Sequence, residues 1–347
     1  MNNVQKNVKT TAFLLIAAIL WGNISLKFRP DDLHPVYREP ENTLDVVMIG
    51  SSSWYTFWSP MVAYEFTGIT SFDYAQGAMP ADCLEYCIRE VLKNQKPKVI
   101  ALDARMFLYR DENTLHVNEA GDTYIEEGHI RAVSDTMPYS LNRFQMLYSV
   151  RDYLEDGLSA HLDLLFYHDR WKEVFAEGGA SPHTGTGRDY TKGYDIHTDV
   201  VSYERPQDVS AVTQVQALSE NTESLLRKLC AYCEKQGIAV LFVAMPTSEH
   251  NETQQMRYNY MKQILDEYVG IDFLNTNDFV DEMGLDYATD FYDSTHANYL
   301  GTVKFTTYLE DYLISNYGIP DRRGQEEYAH WQEDLALWHQ MLESIGQ

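Results

Sequence analysis

The chain has 347 residues, enough for two domains of ordinary size or for one domain with large additions. Hydrophobic residues make up 44% and aromatic residues 13%, which excludes a disordered chain. Lys and Arg number 27 against 52 Asp and Glu, a net charge of −25 that repels polyanions and excludes nucleic-acid binding through basic patches.

In chain order, the first feature is an apolar run from Thr11 to Trp21, preceded by Lys6 and Lys9 and extended by uncharged residues from Thr10 to Leu26. Its apolar core is as short as that of a signal peptide, but no Ala-x-Ala cleavage site follows. We read residues 1–29 as an uncleaved anchor, with the remainder outside the cytoplasm. The competing reading is an ordinary buried helix. A proline-containing link (Pro30, Pro35, Pro40) comes next.

Leu44 to Ile49 is an apolar run closed by Gly50-Ser51-Ser52-Ser53, the pattern of a buried strand ending in a tight turn. Ile69 to Tyr74 is predicted as a second strand, Ala81 to Lys93 as an amphipathic helix, and Lys98 to Leu102 as a third strand ending at Asp103. Residues 109–211 break this rhythm with charge, aromatics and glycine and are read as an insertion. Helical pieces are predicted within it at Phe144–Val150 and Leu158–Phe166, and a loop over Gly178–Gly193. Beyond it, a helix from about Val215 to Gln236 stops at Gly237 before a fourth strand, Ile238 to Val243. A helix at Thr253–Tyr268, a strand at Ile271–Leu274 and a helix at about Asn298–Asn316 repeat the order. Alternation of this kind implies a three-layer α/β/α sandwich over residues 41–316, with a mainly parallel sheet of about five strands.

In the tail, residues 317–347, Trp331, Leu335, Trp338 and Leu342 recur at helical spacing and either dock on the chain's own core or await a partner. Cys83 with Cys87, and Cys230 with Cys233, each share one helical face. They read as buried core thiols, with a zinc site as the alternative.

Catalysis in a parallel sheet belongs at the carboxyl ends of the strands. Two motifs land there. Gly50-Ser51-Ser52 permits a sharp turn that exposes a serine beside free backbone N–H groups. In Asp293-Ser294-Thr295-His296, an Asp three residues before a His can hold the imidazole so that its other nitrogen takes a proton from a serine. The alternative for the second motif is that Asp293 or Ser294 merely caps the following helix.

Together these residues resemble the GDSL/SGNH hydrolase family. The strand ending in Gly50-Ser51-Ser52 is similar to its Gly-Asp-Ser block, and Asp293-x-x-His296 to its C-terminal block. Ser51 in place of Asp resembles the membrane-anchored envelope subgroup, which includes D-alanyl-lipoteichoic acid biosynthesis proteins and partners of membrane-bound O-acyltransferases. Further likeness to that subgroup lies in Ser71–Pro80, Tyr167-His-Asp-Arg-Trp171 and Asp321-Arg-Arg-Gly324. The resemblance implies Ser52 as nucleophile, His296 as general base and Asp293 as its orienter, with no cofactor.

The family's Gly-x-Asn-Asp block has no counterpart, since the third strand runs into Leu102-Asp103-Ala104-Arg105. Oxyanion donors are therefore expected from the Ser52 amide and an amide near Gln76, Gly77 or Ala78. Arg105 either lends a charge or forms a salt bridge with Asp103 or another carboxylate. His168 and Arg170 either line the cleft or pin the insertion. The expected function is an anchored serine esterase or O-acyltransferase acting on an acylated cell-envelope glycan or polymer through an acyl-Ser52 intermediate. The alternative is a non-catalytic accessory subunit of a membrane O-acyltransferase or glycan export system.

Overall fold

Short runs of consecutive apolar residues form strands when both faces can be covered, and three such runs pair at the centre of the sheet here, flanked by two edge segments that carry Asp73 and Asp272. Val46–Gly50 (β1), Ser71–Ala75 (β2), Val99–Asp103 (β3), Val240–Ala244 (β4) and Ile271–Asn275 (β5) make a parallel sheet in the order β2-β1-β3-β4-β5. Every residue of β1 to β4 is buried, whereas the edge strand β5 exposes Asp272. The architecture is a three-layer α/β/α sandwich.

The computed structural model describes residues 3–29, 32–117, 123–153, 163–176 and 188–347. The chain divides into two units, Pro35–Val117 with Arg188–Gln347, and Met1–His34 with Asn118–Gly187. The first is the sheet unit. On one sheet face, Val46, Met48, Val99, Ala101, Leu241 and Val243 pack with Trp54 and Phe57 and with Phe305, Leu309 and Leu313 of the helix Tyr299–Tyr317. Helices Leu84–Asn94 and Glu220–Gln236 pack together, and the first also touches β1. All four cysteines are buried and free, and burial pushes each thiol up.

The helix expected from Val215 begins at Glu220 because Ser219 caps it, accepting from the Thr222 amide, while the Gln216 amide donates to the Met256 carbonyl. The aromatic stripe of the tail helix Ala329–Ile345 docks on its own core, with Trp331, Leu335, Trp338 and Leu342 all buried. Wholly buried Lys192 fastens that helix, with Nζ 2.7 Å from Asp334 and 2.8 Å from Glu39.

The interruption of the sheet unit is narrower than 109–211. Residues 188–194 cover the β2 edge, where Asp73 N–H donates to the Lys192 carbonyl at 2.9 Å. Gly193 has φ +91°, and a side chain there would stand 2.4 Å from the Asp73 carbonyl oxygen. Much of the loop expected over Gly178–Gly193, residues 178–187, lies outside the described residues, as does 158–162 of the helix expected at Leu158–Phe166.

The second unit carries the long amino-terminal helix, Asn3–Phe28. Its segment Asn7–Ser25 has a mean hydropathy of 1.5 and is 6% buried, which rules out an ordinary core helix. Among the described residues it is the one helix long and apolar enough to cross a membrane, as an anchor or a signal sequence would. Helices Glu127–Ser134 and Leu141–Ser149 belong to the same unit.

Candidate active site

The strand order reverses direction between β1 and β3, and a crevice opens outside the carboxyl ends of strands at such a point. Parallel pairing of Ile49 with Leu102 sets Gly50 and Asp103 side by side there. A side-chain carbon on Gly50 would lie 2.7 Å from both Asp103 Cβ and Trp54 Cδ1, so only glycine lets β1 turn this closely into the helix Ser52–Phe57.

Ser51 stands at the N-cap of that helix, yet its hydroxyl makes no capping bond. Ser51 Oγ instead donates to Asp103 Oδ2 at 2.6 Å, and the Arg105 amide donates to Asp103 Oδ1 at 2.9 Å. The first-turn amides, Ser52 among them, thus receive no cap from the side chain that ordinarily supplies one. Burial raises the Asp103 carboxyl above its usual range, even though Ser51 and Arg105 pull it down.

The histidine arrives from the far end of the chain. Phe291–Asp293 (β6) and His296–Ala297 (β7) form a small antiparallel hairpin with Asp293 opposite His296. Asn298 is the N-cap of the next helix, its side chain accepting from the Gly301 amide at 3.2 Å, so neither Asp293 nor Ser294 serves as the cap. The hairpin turn is fastened to the loop after β4, where the Ser248 amide and the Thr247 hydroxyl both donate to the Ser294 carbonyl at 3.0 Å.

His296 Nε2 lies 2.7 Å from Ser52 Oγ, and Nδ1 lies 2.7 Å from Asp293 Oδ2. Burial pushes the Asp293 carboxyl up, but the hydrogen bonds from His296 and from the Thr295 amide outweigh it and hold the group below the usual range. An ionised carboxylate only accepts, so it fixes the proton on Nδ1 and leaves Nε2 to accept from Ser52. Proton transfer from an alcohol to a base is what this arrangement can do.

Several neighbours carry no motif. Tyr292 is sandwiched between two imidazoles, with its ring 5.5 Å from that of His296 and 3.8 Å from that of His197. His197 Nε2 in turn lies 3.3 Å from Asp195 Oδ2, and the Asp195 amide donates to the Tyr55 carbonyl. Burial raises the Tyr55 hydroxyl, with a hydrogen bond to Ser52 pulling the other way. The motif offsets were the only signal in the sequence, and Tyr292 alone of these adjoins one.

Gly77 and Ala78 are exposed in the loop after β2, and the Tyr55 hydroxyl lies 3.5 Å from where a Gly77 Cβ would stand. That loop closes through Gln76 N–H to the Gly50 carbonyl and Met79 N–H to the Gln76 carbonyl, bonds that leave out the amides of Gly77 and Ala78. Of the readings of Arg105, the guanidinium–Asp103 pair is not formed, because Asp103 accepts from the Arg105 backbone amide instead. Its guanidinium donates to the Tyr109 hydroxyl at 2.9 Å and lies over that ring. His168 and Arg170 belong to the other unit, in which Arg170 donates to the Phe28 carbonyl at 2.6 Å and to Glu173. Among the described residues no group of three or more His, Cys, Asp or Glu could hold a metal ion.

No protein-family model matches the chain, and no curated protein matches it by sequence.

Proposed function

We propose that the chain is a membrane-anchored serine esterase or O-acyltransferase of SGNH type, acting on acyl esters of a cell-envelope glycan or polymer. The observation that carries this reading is the unbroken Ser52–His296–Asp293 relay, two contacts of 2.7 Å at the sheet's switch point. Ser52 Oγ attacks the acyl carbonyl while His296 Nε2 takes its proton, and Asp293 stabilises the resulting imidazolium. The Ser52 amide and those of Gly77 and Ala78 are the donors available to the oxyanion. The alcohol departs with the proton from His296 and leaves an acyl-Ser52. Water then completes an esterase cycle, and a sugar hydroxyl completes a transferase cycle.

Labelling with a fluorophosphonate probe tests this. The folded chain should label at Ser52, Ser52→Ala should abolish labelling, and His296→Ala should slow it steeply. A folded wild-type chain that stays unlabelled would favour the accessory-subunit reading instead.

A further inference from the structure

The end of the long amino-terminal helix is held with unusual firmness. Arg29, just past it, is buried, with Nε 2.6 Å from Asp163 Oδ2 and Nη1 donating to the carbonyls of Met137 at 2.7 Å and Asp135 at 3.2 Å. Arg131 and Arg143 converge on the same carboxylate, at 2.9 and 2.8 Å from Asp163 Oδ1, and the Arg29 guanidinium lies over the Tyr139 ring. Arg170 caps the helix by donating to the Phe28 carbonyl, one of the acceptors a helix C-terminus leaves free. The helix therefore cannot swivel freely on the body of its unit.

That firmness fixes where the unit meets a bilayer. The apolar segment Asn7–Ser25 has 19 residues and, at about 1.5 Å per residue, spans roughly 28 Å, close to the thickness of a hydrocarbon core. Ser25 then marks the core boundary, and Phe28 stands about one helical turn beyond it, at headgroup depth. Phe175 packs on Phe28 edge to face at 6.1 Å. Phe175 is 69% exposed, and Trp171, one turn earlier in the chain, is 55% exposed with Lys172 Nζ over its ring. An exposed Trp and Phe beside a Lys, at the level where a membrane helix leaves the core, have the chemistry of an interfacial anchor.

Resting on the reading of Asn3–Phe28 as a membrane helix, we propose that this unit lies on the same bilayer through a second, non-spanning contact, with Trp171 and Phe175 seated in the headgroup region. The lipid surface is the partner, and the contact holds the unit against the membrane instead of leaving it on a loose tether.

The test uses the full chain in phosphatidylcholine vesicles with one environment-sensitive fluorophore on an introduced thiol, either Phe175→Cys or Leu14→Cys, the four native thiols being buried. Nitroxide lipids carry the quencher near the headgroup or at mid-chain. Seated aromatics predict blue-shifted emission at position 175 and a loss of about twofold with the headgroup-proximal quencher, greater than with the mid-chain quencher. The label at position 14 should respond chiefly to the mid-chain quencher. A label at 175 that ignores both lipids and is freely quenched by aqueous iodide, while 14 is quenched at mid-chain, overturns the second contact and spares the anchor. If 14 also ignores both lipids, the anchor reading falls and takes the second contact with it.

Discussion

Asp293 decides which His296 nitrogen carries the proton, and that gives the sharpest test at the scale of single residues. Asp293→Asn replaces an acceptor by a group that also accommodates the other tautomer, in which Nε2 bears the proton and cannot take one from Ser52. Fluorophosphonate labelling should fall by a factor on the order of 10³ to 10⁴, with little change in thermal unfolding because the carboxylate is half-buried. Labelling within tenfold of wild type would remove the relay. Gly50→Ala behaves differently, because its methyl must displace Asp103 or the Trp54 ring. It should cost roughly 1 to 3 kcal/mol in urea unfolding and slow labelling as well. An unchanged urea midpoint would show that the close approach can relax. The pair Asp293 and His296 was legible because its spacing is local. Ser51 and Asp103 were not paired in the sequence reading, since they lie 52 residues apart and meet only once β1 and β3 are in register. The partner of the Arg105 guanidinium was not legible either: Tyr109, one turn on, offers both a hydroxyl and a ring face.

At the scale of elements, the three central strands were legible because each is a short apolar run bounded by turn residues, and burial on both faces demands that composition, whereas the edge strands Ser71–Ala75 and Ile271–Asn275 each carry an Asp. Helix ends were less so, because caps such as Ser219 and Asn298 decide them and many residues could cap. The helix Tyr299–Tyr317 also buries a carboxyl group that no pattern announced. Glu310 is 2% exposed and accepts from the Thr67 hydroxyl at 3.2 Å, and burial pushes its carboxyl up to about 8, with Thr67 pulling the other way. In the unfolded chain this group titrates near 4.5. Below that pH both states hold the proton and there is no penalty. As pH rises towards 8 the unfolded state releases its proton first, so folding must take one up and stability falls; above 8 the loss levels off. Glu310→Gln removes the titration, so its stability relative to wild type should climb by on the order of a few kcal/mol between pH 4.5 and 8. Denaturant unfolding of both proteins across that range is the measurement, and parallel curves would show that Glu310 ionises freely in the native state.

For the whole molecule, the division of labour between the two units follows from what each buries. The sheet unit closes on its own core and carries Ser52, Asp293 and His296, whereas the other unit is organised around Arg29 and Asp163 at the foot of an exposed apolar helix. The helix Leu141–Ser149 was legible from the spacing of Phe144, Leu147 and Val150, although Phe144 is exposed, but the carboxylates that gather three arginines were not, because ion pairs leave no periodicity in a sequence. This predicts that the position of an amino-terminal truncation matters more than its length. Removing residues 1–24 takes away the apolar span and keeps Ser25, Phe28 and Arg29, the residues buried against the body. The product should appear in the soluble fraction after washing, unfold cooperatively and label at Ser52 at the wild-type rate. Extending the deletion through Arg29 strips Asp163 of one cationic partner and removes the Phe28 ring that packs on Phe175. Burial favours the neutral acid there, and Arg143 and Arg29 are what hold the Asp163 carboxyl well below its usual range. That variant should lose roughly 3 kcal/mol in the smaller unit, read as faster amide exchange over 127–149, while exchange in β1 and β3 is unchanged. Identical exchange in the two truncations would mean that Arg29 is a bystander, and that the helix is joined to its unit by nothing stronger than the peptide chain.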